Sequence, residues 1–310
     1  MKVFHRSGSV VQISLPIAIF NAALLYGFFF IADYMLKLRG NTIRGFFCVD
    51  PTIHYTKKAS TVTSLQHRIY NITLMIASVF IVEAYRHLTQ NPRYLEYVYR
   101  MGSTHIPKYL VNILTFIGYS QVGYIFNELL VKTRSLRNSR KRHLAYLQKF
   151  QTGSIGRLRP YFYAVCNPLP IKECEELNPN SYIENYQCQG NFDEVEEARR
   201  SFYSGHSTVT MYCAFWTVLY LQARLKPVLQ NNVIVSILQS FITAGGLFIC
   251  CSRISDNKHH WSDVLAGIVV GMSLATISSV WWGKLFSSAE VGADLHDNKE
   301  TSKFDDKDNV

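Results

Sequence analysis

Residues 251–263 read Cys-Ser-Arg-Ile-Ser-Asp-Asn-Lys-His-His-Trp-Ser-Asp and lie between two long apolar runs. Arg253 is a permanent cation whose planar fork of donors suits a phosphate. If the chain turns helical near His259, Asp263 falls four residues on, on the same face. Its carboxylate could then hold one imidazole nitrogen and leave the other to act as a nucleophile. His260, three residues from Asp263, is the rival by local geometry. Taken alone, the stretch reads equally well as a loop histidine and an aspartate capping the next helix.

Two further stretches carry related chemistry. Gly156-Arg157-Leu158-Arg159-Pro160 sets two arginines beside a residue of restricted backbone. Ser201-Phe202-Tyr203-Ser204-Gly205-His206-Ser207 runs directly into an apolar segment, so the amides near Ser204 and Gly205 would open a helix and form an anion site. His206 would sit at the edge of that anion. Arginine pairs are usually surface residues and Ser-Gly-His is a common tripeptide. The specific feature is that all three stretches lie at the ends of apolar segments, in one order, on one expected face. Phosphoryl transfer needs in-line attack and cations around three equatorial oxygens, and this set supplies both. Neither a metal nor a cofactor is expected, because adjacent histidines rarely ligate one ion and the arginines crowd the site with positive charge.

The elements that must position these residues are apolar and long. Aromatic residues make up 14% of the 310 and charged ones 17%, against roughly 25% charged in soluble domains. A mean hydropathy of +0.02 therefore averages over membrane segments and polar loops. Segments at 13–36, 69–85, 109–131, 207–225, 233–251 and 264–282 approach the ~20 apolar residues needed to cross a bilayer. The reading is an all-α, six-span membrane protein, with one domain over 1–282 and a long polar loop between spans three and four. Catalytic loops would lie at 152–206 and 252–263. Asn112, Gln121, Asn127 and Glu128 are expected to face the bundle interior. Gly245-Gly246 and Gly267-x-x-x-Gly271 allow close helix packing in lipid. The run from 13 exceeds a signal-peptide core and reads as a retained first span.

A net charge of +10 suits a membrane surface or anionic substrates. No zinc-finger spacing, Walker loop or RNA-binding signature supports nucleic acid, which is set aside. An even span number puts both termini on one face and the three candidate loops on the other. The positive-inside rule does not decide which face is cytoplasmic, since both carry basic loops. The run Lys132, Arg134, Arg137, Arg140, Lys141, Arg142 reads as a solvated basic face or as a contact for anionic headgroups. The only glycosylation sequon, Asn71-Ile72-Thr73, sits at a span edge. Of seven cysteines, Cys166, Cys174 and Cys188 share the long loop, where a disulfide is expected if that face is extracytoplasmic. Cys48, Cys213, Cys250 and Cys251 complete the set without a Cys-x-x-Cys pair. The acidic tail 283–310 is expected to be disordered.

With these motifs in hand, the chain resembles the lipid phosphate phosphatases, the integral-membrane, lipid-specific branch of the type 2 phosphatidic acid phosphatase superfamily. The signature of that superfamily is Lys-x6-Arg-Pro, Ser-Gly-His and Ser-Arg-x5-His-x3-Asp. Ser252, Arg253, His259 and Asp263 match the third element, and Ser204, Gly205 and His206 the second. Arg159-Pro160 keeps the end of the first, and Arg44-Gly45-Phe46-Phe47-Cys48 also looks like this branch. The similarity runs over roughly 10–282. Vanadium haloperoxidases share the pocket but are soluble, unlike this chain. One departure stands out: the signature lysine falls at Thr152. Lys149 or Lys132 would have to substitute for it. Loss of one such donor would cost about 3–4 kcal/mol, or 10²–10³ in rate.

The resemblance implies His259 as nucleophile, Asp263 as its orienting carboxylate and His206 as the acid and base. Arg159, Arg253, Ser204 and Gly205 would hold the phosphate, with a weaker part for Arg157. It further implies hydrolysis of phosphatidate, lysophosphatidate, sphingosine 1-phosphate and ceramide 1-phosphate. The implied place is the plasma membrane, with an extracellular site and cytoplasmic termini. Membrane lipids are then the partners, and a homo-oligomer is left open. The competing expectations are a catalytically silent lipid-phosphate binder, suggested by Thr152, and a transporter, suggested only by polar residues within spans.

Overall fold

The computed structural model describes residues 4–7, 10–38, 44–89, 98–133, 156–168, 180–229 and 231–286. Six long helices dominate it: α1 (Leu15–Leu38), α2 (Ser64–Thr89), α3 (Lys108–Thr133), α6 (Gly205–Arg224), α7 (Asn232–Ser255) and α8 (Trp261–Ile277). Short helices α4 (Phe162–Cys166) and α5 (Phe192–Ala198) lie in the long third loop. The six expected apolar segments thus all become helices, mostly longer than the segments themselves. The last ends in a π-turn, Ser278–Trp282. Five of the long helices are long and apolar enough to cross a membrane by length and composition. The exception is α6. It is more polar and is packed by α2, α3, α7 and α8, so its polar side chains face protein rather than lipid.

The helices dominate as an all-α reading expects, and two small sheets accompany them. Strands β1 (Phe4–Ser7), β2 (Val10–Ile13), β4 (Val98–Met101) and β5 (Thr104–Ile106) form one in the order β1-β2-β4-β5. Its β2–β4 pairing is parallel and ties the N-terminus to the α2–α3 connection. The second pairs β3 (Phe46–Phe47) with β6 (Tyr182–Ile183), joining the first and third loops at the opposite end of the bundle. Strands this short carry too few alternating residues to stand out from loops in a sequence.

The first and third loops together build a small core from Phe46, Ile53, Leu158, Tyr161, Phe162, Val165, Val195 and Ala198. A Cys166–Cys188 disulfide staples it, and Cys48 is disulfide-bonded as well. Asn71 is buried inside α2, where its side chain bonds the His67 carbonyl at 2.9 Å. The sequon is therefore closed to a glycan in the folded chain. Thr152, Lys149, Cys174, the basic run from Arg134 and the tail from residue 287 lie outside the described residues, as does the side chain of Lys132.

Candidate active site

The site begins where α6 and α8 pack. A Cβ on Gly267 would meet the Ser204 carbonyl at 2.7 Å, and one on Gly271 the Thr208 carbonyl at 2.3 Å. Only glycine lets the two backbones come this close. The approach lets the Ser204 amide donate to the Asp263 main-chain oxygen at 2.9 Å, locking the second stretch to the third. Ser204 is the N-cap of α6, and its Oγ accepts from the Ser207 hydroxyl at 2.9 Å. The Ser204 amide is thus committed to Asp263, while its Oγ accepts within the first turn, so the residue fixes the loop. The Gly205 amide, first in the helix, has no acceptor within that helix.

His259 is buried, and its Nδ1 lies 2.8 Å from the Ser201 carbonyl. A carbonyl only accepts, so Nδ1 carries the proton and the lone pair of the neutral ring belongs to Nε2. Asp263 does not make the direct bond that the spacing suggests, since its Oδ2 stands 4.0 Å from Nδ1. It acts one step removed. Oδ2 accepts the Ser201 hydroxyl at 2.6 Å and the His260 amide at 3.0 Å, so the carboxylate holds the residue that holds the ring. Ser201 had no role in the sequence reading, and no local pattern marks it. His260, the rival, spends Nε2 on the Leu158 carbonyl at 3.0 Å and so anchors the first stretch.

The arginines are each tied along one edge. Arg157 donates from Nη1 to Asp263 Oδ1 at 2.6 Å and to Ser262 Oγ at 2.8 Å. Arg159 donates from Nη1 to Glu197 at 2.8 Å and to the Tyr161 hydroxyl at 3.0 Å, and from Nε to the Arg200 carbonyl. Arg253, almost fully buried, is held through Nη2 by Asp256 Oδ2 and the Val62 carbonyl, both at 3.1 Å. Among the described residues, no protein acceptor takes Arg253 Nη1 or Arg159 Nη2. Each cation is thus oriented from behind with donors left over, as an anion site requires.

The first loop braces this arrangement. Thr61 gives its amide and hydroxyl to Asp256 at 2.8 and 2.6 Å, and Asn257 bonds the Thr56 carbonyl at 3.1 Å. His67, in the first turn of α2, lies 4.4 Å from the His206 ring, tilted against it by 43°. Its Nε2 reaches Thr210 Oγ1 at 2.9 Å and the His206 carbonyl at 3.2 Å. His67 lies outside the three motif stretches, and Asp256, though inside the third, has a part there that spacing does not assign.

Three motif stretches, distant along the chain, therefore meet at one end of a helix bundle, around a buried imidazole and cations with spare donors. That is the class of an integral-membrane enzyme built for anionic phosphate esters. The comparisons agree: residues 145–287 match the PAP2 superfamily model. A Caenorhabditis elegans protein named "Phospholipid phosphatase homolog 1.2 homolog" is 42% identical over 81% of this chain and 68% of its own length. Rattus norvegicus "Phospholipid phosphatase 2" is 33% identical over 79% of the chain and 78% of its own length. Rattus norvegicus "Phospholipid phosphatase 1" is 42% identical over 48% of the chain and 51% of that relative. The chain belongs to the phospholipid phosphatase family of the PAP2 superfamily, a family of phosphatases. No solved structure matches it.

Proposed function

We propose that this chain hydrolyses lipid phosphate monoesters without a metal ion, through a phosphohistidine on His259. The observation that carries the reading is the 2.8 Å contact of Nδ1 with the Ser201 carbonyl, which sets the tautomer needed for attack by Nε2. Arg253, Arg159 and the Gly205 amide bind the equatorial oxygens, while Arg157 keeps Asp263 in place. The new P–N bond forms as the P–O bond to the lipid breaks, and His206 protonates the departing alkoxide. His206 then takes a proton from water, which attacks the phosphohistidine and releases inorganic phosphate. His67 supports His206 from behind.

Phosphatidate, lysophosphatidate, sphingosine 1-phosphate and ceramide 1-phosphate are the proposed substrates. In this reading α6 is the remaining one of six spans, the domain covers 1–282 and the tail to 310 stands apart. The disulfides support a site on an oxidising face, extracellular or lumenal, with both termini cytoplasmic. The plasma membrane is the proposed home. The deciding experiment measures phosphate release from phosphatidate in detergent micelles containing EDTA. Wild type turns over and His259→Ala does not; full activity in H259A would sink the nucleophile assignment.

Thr152, in place of the signature lysine, favours one second reading, a relative that binds lipid phosphate without turning it over. Retention of phosphatidate by purified wild type, with no phosphate release, would establish it.

A further inference from the structure

Lys258, the residue before His259, stands on the link between α7 and α8. Its ammonium donates to the Lys58 carbonyl at 2.7 Å and lies 5.1 Å from the centroid of the Tyr161 ring. The Tyr161 hydroxyl is the same group that takes Arg159 Nη1 at 3.0 Å, so one aromatic ring seats both cations. Among the described residues, no carboxylate pairs with Lys258 and no second acceptor takes its ammonium. An ammonium has three donors, and here the protein uses one.

The surroundings are cationic as well. Arg159, Lys57, Glu197 and Asp256 are the charged groups that Lys258 senses. Asp256 is committed to Arg253 and Thr61, Glu197 to Arg159, and Lys57 to Glu194 at 2.6 Å. Bringing a second cation beside Arg159 in a half-buried setting is unfavourable unless an anion joins them. Burial first, and then Arg159, hold the Lys258 amine below the usual lysine range. A dianionic phosphoryl group between the two cations would relieve both effects.

We propose that Lys258 is a further phosphate-binding residue of this site, contacting the phosphoryl oxygens on the Arg159 side. It rests on the phosphatase reading above and makes Lys132 or Lys149 unnecessary as a replacement for the lysine absent at Thr152.

The test uses the full-length protein in micelles, with inorganic phosphate as the probe of binding and phosphatidate as substrate. Lys258→Gln keeps a donor for the Lys58 carbonyl and removes the charge. The expected result is a 10- to 100-fold weaker inhibition constant for phosphate, the order of one charged hydrogen bond, with kcat/KM falling in step. Lys258→Arg should recover most of both. Phosphate affinity in wild type should also decline as pH rises through a range below that of an ordinary lysine. That limb should be missing in K258R, and Tyr161 does not mimic it, because burial raises its phenol above the usual range. Unchanged phosphate affinity in K258Q overturns the proposal and reduces Lys258 to a loop tether, whatever the activity. A wild type that releases no phosphate sinks the phosphatase reading instead, and phosphate binding in K258Q still decides the lysine.

Discussion

At the scale of single residues, this site is organised by hydrogen bonds that orient each group from behind. The Ser201 carbonyl takes the Nδ1 proton of His259, and the Ser201 hydroxyl is itself held at 2.6 Å by Asp263. The carboxylate therefore steers the proposed nucleophile through a serine, and the loss of that serine's hydroxyl should be graded rather than total. Ser201→Ala keeps the carbonyl and drops only the hydroxyl. Steady-state kinetics should show kcat reduced about tenfold with KM little changed, the order of one hydrogen bond to a charged group. A loss as large as that of H259A would mean that Ser201 does more than orient. The spacing of Arg253, His259 and Asp263 was enough to single out the residues proposed to react. It could not show that Asp263 reaches His259 through a residue 62 positions away, because chain separation says nothing about loops that fold back on each other.

At the scale of elements, α6 is the hub. Gly267 and Gly271 bring α8 against it, and α2 supplies His67 to its first turn and Glu83 to its last. Glu83 accepts from Arg224 at 3.0 and 3.2 Å, from Tyr220 at 2.9 Å and from Asn112 at 3.0 Å, so α2, α3 and α6 share one buried ion pair. Arg224 also lies over the Phe116 ring, 4.9 Å from its centroid. Removing one partner strands the other charge in a dry setting, which costs about 3–5 kcal/mol. Glu83→Leu should therefore lower the Tm in detergent sharply, whereas Glu83→Leu with Arg224→Leu should recover much of the loss. A double variant no more stable than E83L would show that the pair is not coupled. Gly-x-x-x-Gly and the polar positions of α3 were visible in the sequence as packing signals. Their partners were not, since helix periodicity defines a face but not the neighbour that meets it.

At the scale of the whole molecule, the first loop, the third loop and the α7–α8 link gather at one end, and the four-stranded sheet closes the other. The β3–β6 pairing, the Thr61–Asp256 bonds and the Arg157–Asp263 pair each cross between these loops. The disulfides on the same end support the proposed topology, in which the chemistry faces an oxidising compartment. Sealed microsomes with cytoplasmic side out should then show latent activity toward a water-soluble short-chain phosphatidate, rising severalfold when detergent opens them. Full activity in sealed vesicles would place the site on the cytoplasmic face and overturn the topology.

The amino-acid sequence by itself determined the motif stretches, their order and the apolar segments that become helices, because hydropathy and short spacings are local properties. It also exposed the departure at Thr152. The tertiary structure decided which group each donor meets: Ser201 with His259 across 58 positions and Arg157 with Asp263 across 106. It also seated Lys258 and Arg159 on one tyrosine. Such pairings depend on how closely two helices can pack, and that closeness comes from Gly267 and Gly271 on one helix meeting Ser204 and Thr208, some sixty positions earlier, on the other.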